Sequence, residues 1–417
     1  MWVAAISMWL LAAVTAVADL AGSTTTPVEP APGTSFGCLA VVTADPVCDL
    51  LKESEAEDAG AVHLVKDART EFDRYDVRAN STWINSSFSQ MTAYAPWFNK
   101  NLKWYKHARL YDDAYAIYKG SRLEREHPEW ILRDARGERL YIPAGCARGS
   151  CPQWAGDISS PSFRAYWIKN LRATLAKGYA GVFIDDVNLA VDTSNGQGEI
   201  VAPIDRATGK AMTAHAWGAY FDRFMSEVRK AIPNYEITQN EQPSVGSPAT
   251  NPLIAAALRQ ANWNDLEFGV DAPWLSGGTG PFSLYAFLDY VDSVHALGTE
   301  VDMAGYGSTA QEMQYTLAGY LLISNGHDLL TVPHAEGVGL KLWPGWRVNL
   351  GEALGPRVRS SKGLFEREFT RGVVYLNEPG APTSTIALPK AMVNAEGRTV
   401  SFVTLAAKSA AVLHEVA

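Results

Sequence analysis

The stretch Gly181-Val182-Phe183-Ile184-Asp185-Asp186 decides the fold expected for this chain. Four uncharged residues, three of them large and apolar, lead directly into two carboxylates. So short an apolar run, with a helix stop at Gly178 before it, is typical of a buried parallel strand. In parallel α/β folds, ligands bind and chemistry takes place at the C-terminal ends of the strands. Because two adjacent ionised groups are costly to desolvate, the pair favours a functional site. The alternative is that Asp186 begins a polar loop that Asp185 caps.

The composition indicates a large folded protein with a secretory N-terminus. The chain has 417 residues, 47% of them apolar, and a formal net charge of -9 without runs of basic residues. That distribution argues against nucleic acid as a partner, because phosphate binding requires a basic stripe. Residues 1–18 carry no charged side chain and end in Ala16-Val17-Ala18, a small-x-small cleavage pattern. We therefore expect a signal peptide, a flexible leader over residues 19–60, and a secreted protein without stable membrane association; an uncleaved anchor is the alternative.

Four cysteines fall into two close pairs, for which we expect the disulfides Cys38–Cys48 and Cys146–Cys151. A zinc site is the competing interpretation. It is weaker because neither pair has CxxC spacing and no histidine lies within either loop. We expect neither a metal ion nor a cofactor.

Helix-like and strand-like segments alternate along most of the chain. Ser159-Ser160-Pro161 predicts a helix start before the Gly181 strand, which makes a strand–helix–strand unit. A segment from Met91 to Trp104 is predicted as a helix, and Gly60 to Asp67 as a possible first strand or hairpin. About eight strands are predicted to begin at Tyr75, Lys106, Gln153, Gly181, Tyr235, Ala261, Thr299 and Asp328. This rhythm predicts a (β/α)8 barrel over residues 61–360. A doubly wound open sheet is the alternative, but it would usually show a Gly-rich phosphate turn.

The rhythm changes at Phe365, where short strands separated by turns replace the helices. We therefore expect a small antiparallel β-domain, similar to a β-sandwich, over residues 361–417.

Carboxylates collect at the predicted C-terminal ends of the barrel strands. The sequence contains no GxSxG, HExxH or phosphate-loop motif. Several carboxylates around a barrel mouth fit glycoside hydrolysis, which needs one carboxylate as nucleophile or base and one protonated acid. We expect Asp185 as nucleophile or base and Glu241 or Glu267 as proton donor. The residues expected to bind hydroxyls or to tune the pair are Asp157, Asp186 and Asp302.

Tryptophan is abundant, with 13 residues, and four of them are predicted to lie in loops near the barrel mouth. These are Trp263, Trp274, Trp343 and Trp346. Flat aromatic faces stack on the CH faces of sugars, and several separated platforms would imply a polysaccharide or glycoconjugate substrate. Core filling is the alternative role for each tryptophan. The absence of a basic run argues against a strongly anionic polymer.

Four segments together carry a family resemblance. They are HPEWILRDARGERL (127–140), WAGDISSPSFRAYW (154–167), GYAGVFIDDV (178–187) and LAGYLLISNGHDLL (317–330). The chain from about Tyr75 to Val332 resembles hypothetical glycosyl hydrolase family 15, which is unrelated to glucoamylases. More broadly it resembles barrel glycosidases with an aspartate at the end of strand four, among them the polygalactosaminidase-like group. The resemblance implies a barrel with a C-terminal β-domain, glycosidase chemistry, and the nucleophile-like aspartate at Asp185.

Two other classes of function remain open from the sequence. One is a non-catalytic carbohydrate-binding barrel, against which a close carboxylate pair in one cleft would argue. The other is a metal-dependent lyase or aldolase, which would need three or more oxygen or histidine ligands converging on a cation.

Overall fold

The computed structural model describes residues 59–68, 81–95, 98, 103–241, 246–305, 307–332 and 342–416. Eight parallel strands close into a barrel, in which each strand pairs with its neighbours in chain order and the first pairs with the last. The barrel strands are β1 (Leu64–Ala68), β2 (Gln90–Ala93), β3 (Ala108–Asp113), β4 (Gly181–Asp185), β5 (Glu236–Asn240), β6 (Trp263–Leu266), β7 (Glu300–Ala304) and β8 (Leu329–Val332). The predicted (β/α)8 barrel is confirmed.

Helices separate most of the barrel strands, and polar N-caps start them. The helices are α1 (Ser81–Ser87), α2 (Arg122–Glu126), α3 (Pro161–Leu175), α4 (Ala214–Ala231), α5 (Pro252–Leu258), α6 (Leu284–His295) and α7 (Ala310–Ile323). The caps of α3 to α7 are Ser160, Thr213, Asn251, Ser283 and Thr309, and each side chain accepts a backbone N–H of the first turn. In the part of the chain described, no helix combines the length and apolar character that crossing a bilayer requires.

The β4 strand shows how its sequence fixes the direction of Asp185. Gly181 lies so close to β5 that a Cβ atom there would stand 2.3 Å from the Glu236 carbonyl oxygen. Ile184 is fully buried under the helices, whereas Phe183 packs inside the barrel, where its ring stacks on that of Tyr111. Because side chains alternate along a strand, Asp185 shares the inward direction of Phe183. The apolar run thus delivers a carboxylate to the barrel mouth.

Six of the eight predicted strand positions are confirmed and two are wrong. The barrel begins with β1, inside the segment Gly60 to Asp67, and not with the segment from Tyr75, whose end forms the start of α1. Met91 lies in β2 instead of in the predicted helix. The strand Gln153–Ala155 pairs antiparallel with Ala116–Tyr118 in a separate two-stranded sheet outside the barrel. A second short hairpin joins Ile204–Asp205 to Lys210–Ala211.

The residues between β3 and α3 form a long excursion that contains the short sheet and a disulfide. The predicted Cys146–Cys151 bond is present, with the two Cα atoms 4.0 Å apart. The predicted Cys38–Cys48 bond, the signal peptide and most of the leader fall outside the described residues. The disulfide closes a short loop directly before the strand Gln153–Ala155.

The C-terminal residues form the predicted antiparallel β-structure. Six strands lie in the order β9-β10-β11-β14-β12-β13. Their bounds are β9 (Val358–Arg359), β10 (Leu364–Phe369), β11 (Gly372–Asn377), β12 (Ser384–Asn394), β13 (Thr399–Leu405) and β14 (Ser409–Glu415). The sheet packs on α7, where Gln314 donates to the Ala410 carbonyl and Arg367 donates to the Leu321 carbonyl at 2.8 Å. The sheet therefore covers the outer face of the barrel at α7.

The last residue of α6, His295, makes an ion pair at the N-terminal end of the barrel. Its Nε2 lies 2.9 Å from Asp328 Oδ1 and 3.8 Å from Glu300 Oε2. Burial alone would lower the pKa of His295, but the charges of Asp328, Glu300 and Asp292 raise it above the ordinary 6.5. A raised pKa means that the stabilisation is complete below the unfolded-state value and is lost as the pH rises through the folded-state value. We expect the free energy of unfolding in urea to fall as the pH rises through the range above the ordinary histidine pKa of about 6.5.

The control for this prediction is His295→Gln, which keeps a hydrogen-bond donor but cannot titrate. The variant should be less stable than the natural chain at the acidic end of this range and should lack the decline. The same decline in both proteins would show that another group causes it. Glu300, whose pKa burial also raises, titrates in the same direction, and His295→Gln separates the two contributions because it keeps Glu300.

Candidate active site

Asp185 at the tip of β4 is held by hydrogen bonds to both carboxylate oxygens. The Tyr111 hydroxyl donates to Oδ2. The Asn240 side-chain amide and the Asp186 backbone N–H donate to Oδ1, each at 2.9 Å. The side chain is half-buried, so one side of the carboxylate remains open to the barrel mouth. Donors on three sides fix its orientation.

Neighbouring strands bring these partners together because of their register. Asp113, the last residue of β3, pairs with Asp185, and Tyr111 pairs with Phe183. Asn240 is the last residue of β5, the next strand around the barrel. The Tyr111 hydroxyl also lies 3.2 Å from Asp113 Oδ1. The inward positions of three adjacent strands thus form one hydrogen-bonded group.

Glu267 follows β6 and adds a second carboxylate to this group. The Asn240 side-chain nitrogen lies 2.9 Å from Asp185 Oδ1 and 3.4 Å from Glu267 Oε2. Because one nitrogen is within hydrogen-bonding distance of both oxygens, these two oxygens are at most about 6.3 Å apart. Two carboxylates at this distance can act together on one bond.

Asp186 turns the chain out of β4 in an unusual backbone conformation. Its φ is 57°, in the left-handed region that few residues other than glycine adopt, and such strain persists mostly at functional sites. Burial raises the pKa of its carboxyl well above the usual range, and the charges of Asp185, Asp113, Asp192 and Glu267 raise it further. A raised pKa favours the protonated form of Asp186, which can donate a hydrogen bond.

Asp302, predicted to contact substrate, forms the floor of the site instead. It is fully buried, and its oxygens accept from Arg109 at 2.8 Å and from Thr331 at 2.8 Å. Arg109 is equally buried and also donates to Thr238. Since both oxygens of Asp302 are engaged inside the barrel, its role is to neutralise Arg109 beneath the open carboxylates.

Glu241, one of the two predicted proton donors, does not join Asp185. It is fully buried in the layer between the strands and α6, beside Asn264 and the Tyr290 hydroxyl. Burial raises its pKa well above the usual range, and the Tyr290 hydroxyl offsets only part of this. Its neighbour Asn240 takes the inward position, because residues alternate between the two faces of a strand.

Asp157, predicted to bind hydroxyls, is engaged at the start of α3. It is fully buried, accepts from the Ser159 backbone N–H at 3.1 Å, and forms an ion pair with Arg206. These contacts anchor the end of the excursion. Asp157 therefore has a role in holding the loop.

The four tryptophans predicted to lie near the barrel mouth occupy different positions in the structure. Trp274 is half-buried in the loop after β6 and packs edge-on against Phe268, directly after Glu267. Trp263 is the first residue of β6, so it lies at the opposite end of the barrel and its predicted role is wrong. Trp346 is buried in the core, and Trp343 packs on it at 5.0 Å. Of the four, Trp274 is the one that packs against the residue next to Glu267.

Two members of the site, Tyr111 and Asn240, were not predicted from the sequence. Both lie at inward positions one or two residues from the carboxylates at strand ends. The alternation of faces along a strand could have identified them. Tyr111 lies two residues before Asp113 on the same face of β3, and Asn240 ends the strand next to that of Asp185.

One group of possible metal ligands exists among the described residues. It consists of His295, Glu300 and Asp328, whose ligand atoms lie within 4.8 Å of one another. Glu300 begins β7 and Asp328 directly precedes β8, so the group lies at the end of the barrel opposite to Asp185.

Comparison with protein families gives one match, and it covers most of the barrel. Residues 97–373 match hypothetical glycosyl hydrolase family 15. No curated protein matches the chain in sequence.

Solved structures that match the chain include three glycoside hydrolases. The glycoside hydrolase domain of PelA from Pseudomonas aeruginosa is 13% identical, with a TM-score of 0.40 over 65% of this chain and 94% of that one. The GH36 α-galactosidase AgaA from Geobacillus stearothermophilus, in complex with stachyose, is 14% identical, with a TM-score of 0.46 over 85% of this chain and 56% of that one. The GH31 dextranase of Flavobacterium johnsoniae, complexed with glucose, is 11% identical, with a TM-score of 0.46 over 86% and 52%.

Proposed function

Because the chain belongs to hypothetical glycosyl hydrolase family 15, we propose that it hydrolyses O-glycosidic bonds with retention of anomeric configuration. Asp185 is the nucleophile and Glu267 is the proton donor. The observation that carries this assignment is the Asn240 amide nitrogen, which lies within 3.4 Å of both carboxylates. Retaining enzymes place their carboxyl groups ~5 to 5.5 Å apart, which fits the upper bound set by this shared nitrogen.

The reaction uses each carboxylate twice. Glu267 gives its proton to the glycosidic oxygen while Asp185 attacks the anomeric carbon and forms a glycosyl-enzyme. Glu267 then takes a proton from water, which attacks the same carbon and releases Asp185. Tyr111 and Asn240 hold Asp185 in the attacking orientation, and Asp186, whose raised pKa favours the protonated form, donates to a sugar hydroxyl. Such positioning supplies much of the rate enhancement of enzymes.

The substrate that we propose is a polysaccharide or glycoconjugate. Trp274 with Phe268 offers an aromatic surface on the β6 side of the site. Such a surface beside the reacting bond suits stacking on a sugar unit next to the one that is cleaved. The concentration of carboxylates around Asp185 repels a strongly anionic polymer.

Secretion and the domain boundaries belong to the same proposal. The uncharged segment 1–18 is proposed as a cleaved signal peptide, followed by a leader over 19–60, the catalytic barrel over 61–360 and the β-domain over 361–417. The Cys146–Cys151 disulfide supports an oxidising compartment.

A polysaccharide panel tests the proposal. The full chain is incubated with neutral and amino-sugar polymers, and the products are read by mass and by the anomeric proton signals of the first product formed. We expect oligosaccharides whose new reducing end has the anomeric configuration of the substrate. Monosaccharides released only from aryl glycosides would overturn the polymer assignment, and an inverted first product would overturn the roles of the two carboxylates.

A further inference from the structure

A chain of hydrogen bonds runs from Asp185 to the excursion outside the barrel. The Tyr111 hydroxyl bonds to Asp185 Oδ2 and lies 3.2 Å from Asp113 Oδ1. The Tyr118 hydroxyl donates to the other oxygen of Asp113 at 2.7 Å. Tyr118 lies on the short strand Ala116–Tyr118, which is not part of the barrel. A residue of the excursion therefore reaches the proposed nucleophile through two intermediates.

The Tyr111 hydroxyl has one proton and two carboxylate neighbours. Burial raises the pKa of Tyr111 well above its usual range, and the charges of Asp185 and Asp113 raise it further, so the phenol keeps its proton. The two carboxylates compete for this proton. The closer contact is to Asp185. A carboxylate that already accepts another hydrogen bond competes less strongly, because part of its charge is compensated.

We propose that Tyr118 is a positioning residue: by donating to Asp113, it leaves the Tyr111 proton for Asp185 and so fixes the orientation of the nucleophile. The inference rests on the proposed function of Asp185. When Tyr118 lacks its hydroxyl, Asp113 draws the Tyr111 proton away, and Asp185 loses one of its three donors. No covalent bond changes in this step; a single hydrogen bond changes its acceptor.

The backbone around Tyr118 and Asp113 is held independently of this hydroxyl. Tyr118 pairs with Gln153 in the short sheet, and the Lys119 N–H donates to the Pro152 carbonyl at 3.0 Å. The Asp113 carbonyl accepts from the Trp167 indole at 2.8 Å. Removing the hydroxyl therefore changes the hydrogen bond and leaves the excursion in place.

A double-mutant cycle tests the proposal. Tyr118→Phe, Tyr111→Phe and the double variant are compared on a substrate of the panel that the natural enzyme cleaves. We expect Tyr118→Phe to lower kcat about five-fold with KM unchanged, the effect of one hydrogen bond, and Tyr111→Phe to lower it more. The double variant should be no slower than Tyr111→Phe, since Tyr118 acts only through Tyr111. Additive losses, or a rise in KM alone, would mean that Tyr118 contacts substrate or merely supports the loop.

A second measurement separates this inference from the proposed function. The chain is labelled with an isotope at the hydroxyl-bearing ring carbon of tyrosine, and the Tyr111 resonance is assigned with Tyr111→Phe. Tyr118→Phe should move that resonance, whereas Tyr166→Phe, at an exposed position of α3, should not. An unmoved resonance overturns the inference. A moved resonance in a chain that cleaves no glycoside upholds the hydrogen-bond chain and overturns the proposed function.

Discussion

Asp185→Asn should lower kcat by about 10³- to 10⁵-fold, because an amide cannot form the glycosyl-enzyme. KM should change little, since the amide keeps the size and most of the hydrogen bonds of the carboxylate. The measurement is the initial rate on the best substrate of the panel, with enough enzyme to detect the residual rate. A variant within ten-fold of the natural rate would contradict the role of nucleophile. Such a variant would have lost only about 1.4 kcal/mol of transition-state stabilisation.

The local hydrogen bonds indicate that this variant folds normally. The amide oxygen can take the place of Oδ1 and accept from Asn240 and from the Asp186 N–H. The amide nitrogen then replaces Oδ2 and donates to the Tyr111 oxygen, while Tyr111 turns its proton to Asp113. Thermal unfolding should therefore match that of the natural chain. Asp289→Asn, on the exposed side of α6, is the control for an aspartate remote from the site.

Chemical rescue distinguishes a nucleophile from a residue that only binds substrate. Asp185→Gly leaves room for a small anion beside the anomeric carbon. With azide and an aryl glycoside, we expect the rate to recover in part and a glycosyl azide of inverted configuration to form, because azide attacks from the face that Asp185 leaves. Absence of rescue together with substantial residual activity would assign the nucleophile to another carboxylate.

The core of the fold could be predicted from local patterns because these patterns were strong. The run that forms β4 is apolar, begins with glycine and is followed by charged residues. This pattern is typical of a buried strand, and the first four residues of β4 are buried. The helices after β4 begin at caps such as Thr213 and Thr309, which the sequence displays directly. Long periodic segments with caps are where sequence patterns are most reliable.

The missed strand β2 and the misplaced strand Gln153–Ala155 each have a physical reason. β2 is the four-residue segment Gln90–Ala93, in which every residue is buried, so neither length nor alternation marks it. The strand Gln153–Ala155 has a strand-like sequence and does form a strand, but its partner is the hairpin strand at Ala116. Propensity describes a strand's own residues and cannot say which sheet it joins.

The composition of the site depends on which strand residues face the barrel interior, and the sequence alone does not determine this. Asn240 and Glu241 are adjacent at the end of β5, and a shift of one residue exchanges which of them faces the barrel. The carboxylate was expected to be the functional group, yet the amide lies inward and bridges Asp185 to Glu267. The predicted role of Asp302 depended on a contact that the sequence does not display. Its partner Arg109 lies 193 positions away in the sequence.

The choice of acid leads to the second large expected effect. Glu267→Gln should lower the rate on a polysaccharide by about 10²- to 10⁴-fold, because the leaving sugar oxygen needs a proton. On a dinitrophenyl glycoside the loss should be much smaller in the first step, since this leaving group departs as a stable anion. Slow hydrolysis of the glycosyl-enzyme should then follow, because Glu267 also activates water, and the intermediate should accumulate as a mass increase on the chain.

Glu241→Gln is the matched comparison, since it makes the same change one strand away. The carboxyl of Glu241 is fully buried, and burial raises its pKa well above the usual range, which favours the neutral form. An amide of the same size resembles that form and should preserve both stability and the rate on every leaving group. Asp186→Asn completes the set, because the raised pKa of Asp186 makes it the other candidate acid beside Asp185. The sign of the proton donor is a larger loss of rate on the polysaccharide than on the dinitrophenyl glycoside. If Asp186→Asn shows it and Glu267→Gln does not, Asp186 is the proton donor. If Glu241→Gln shows it, the geometry of the site is contradicted.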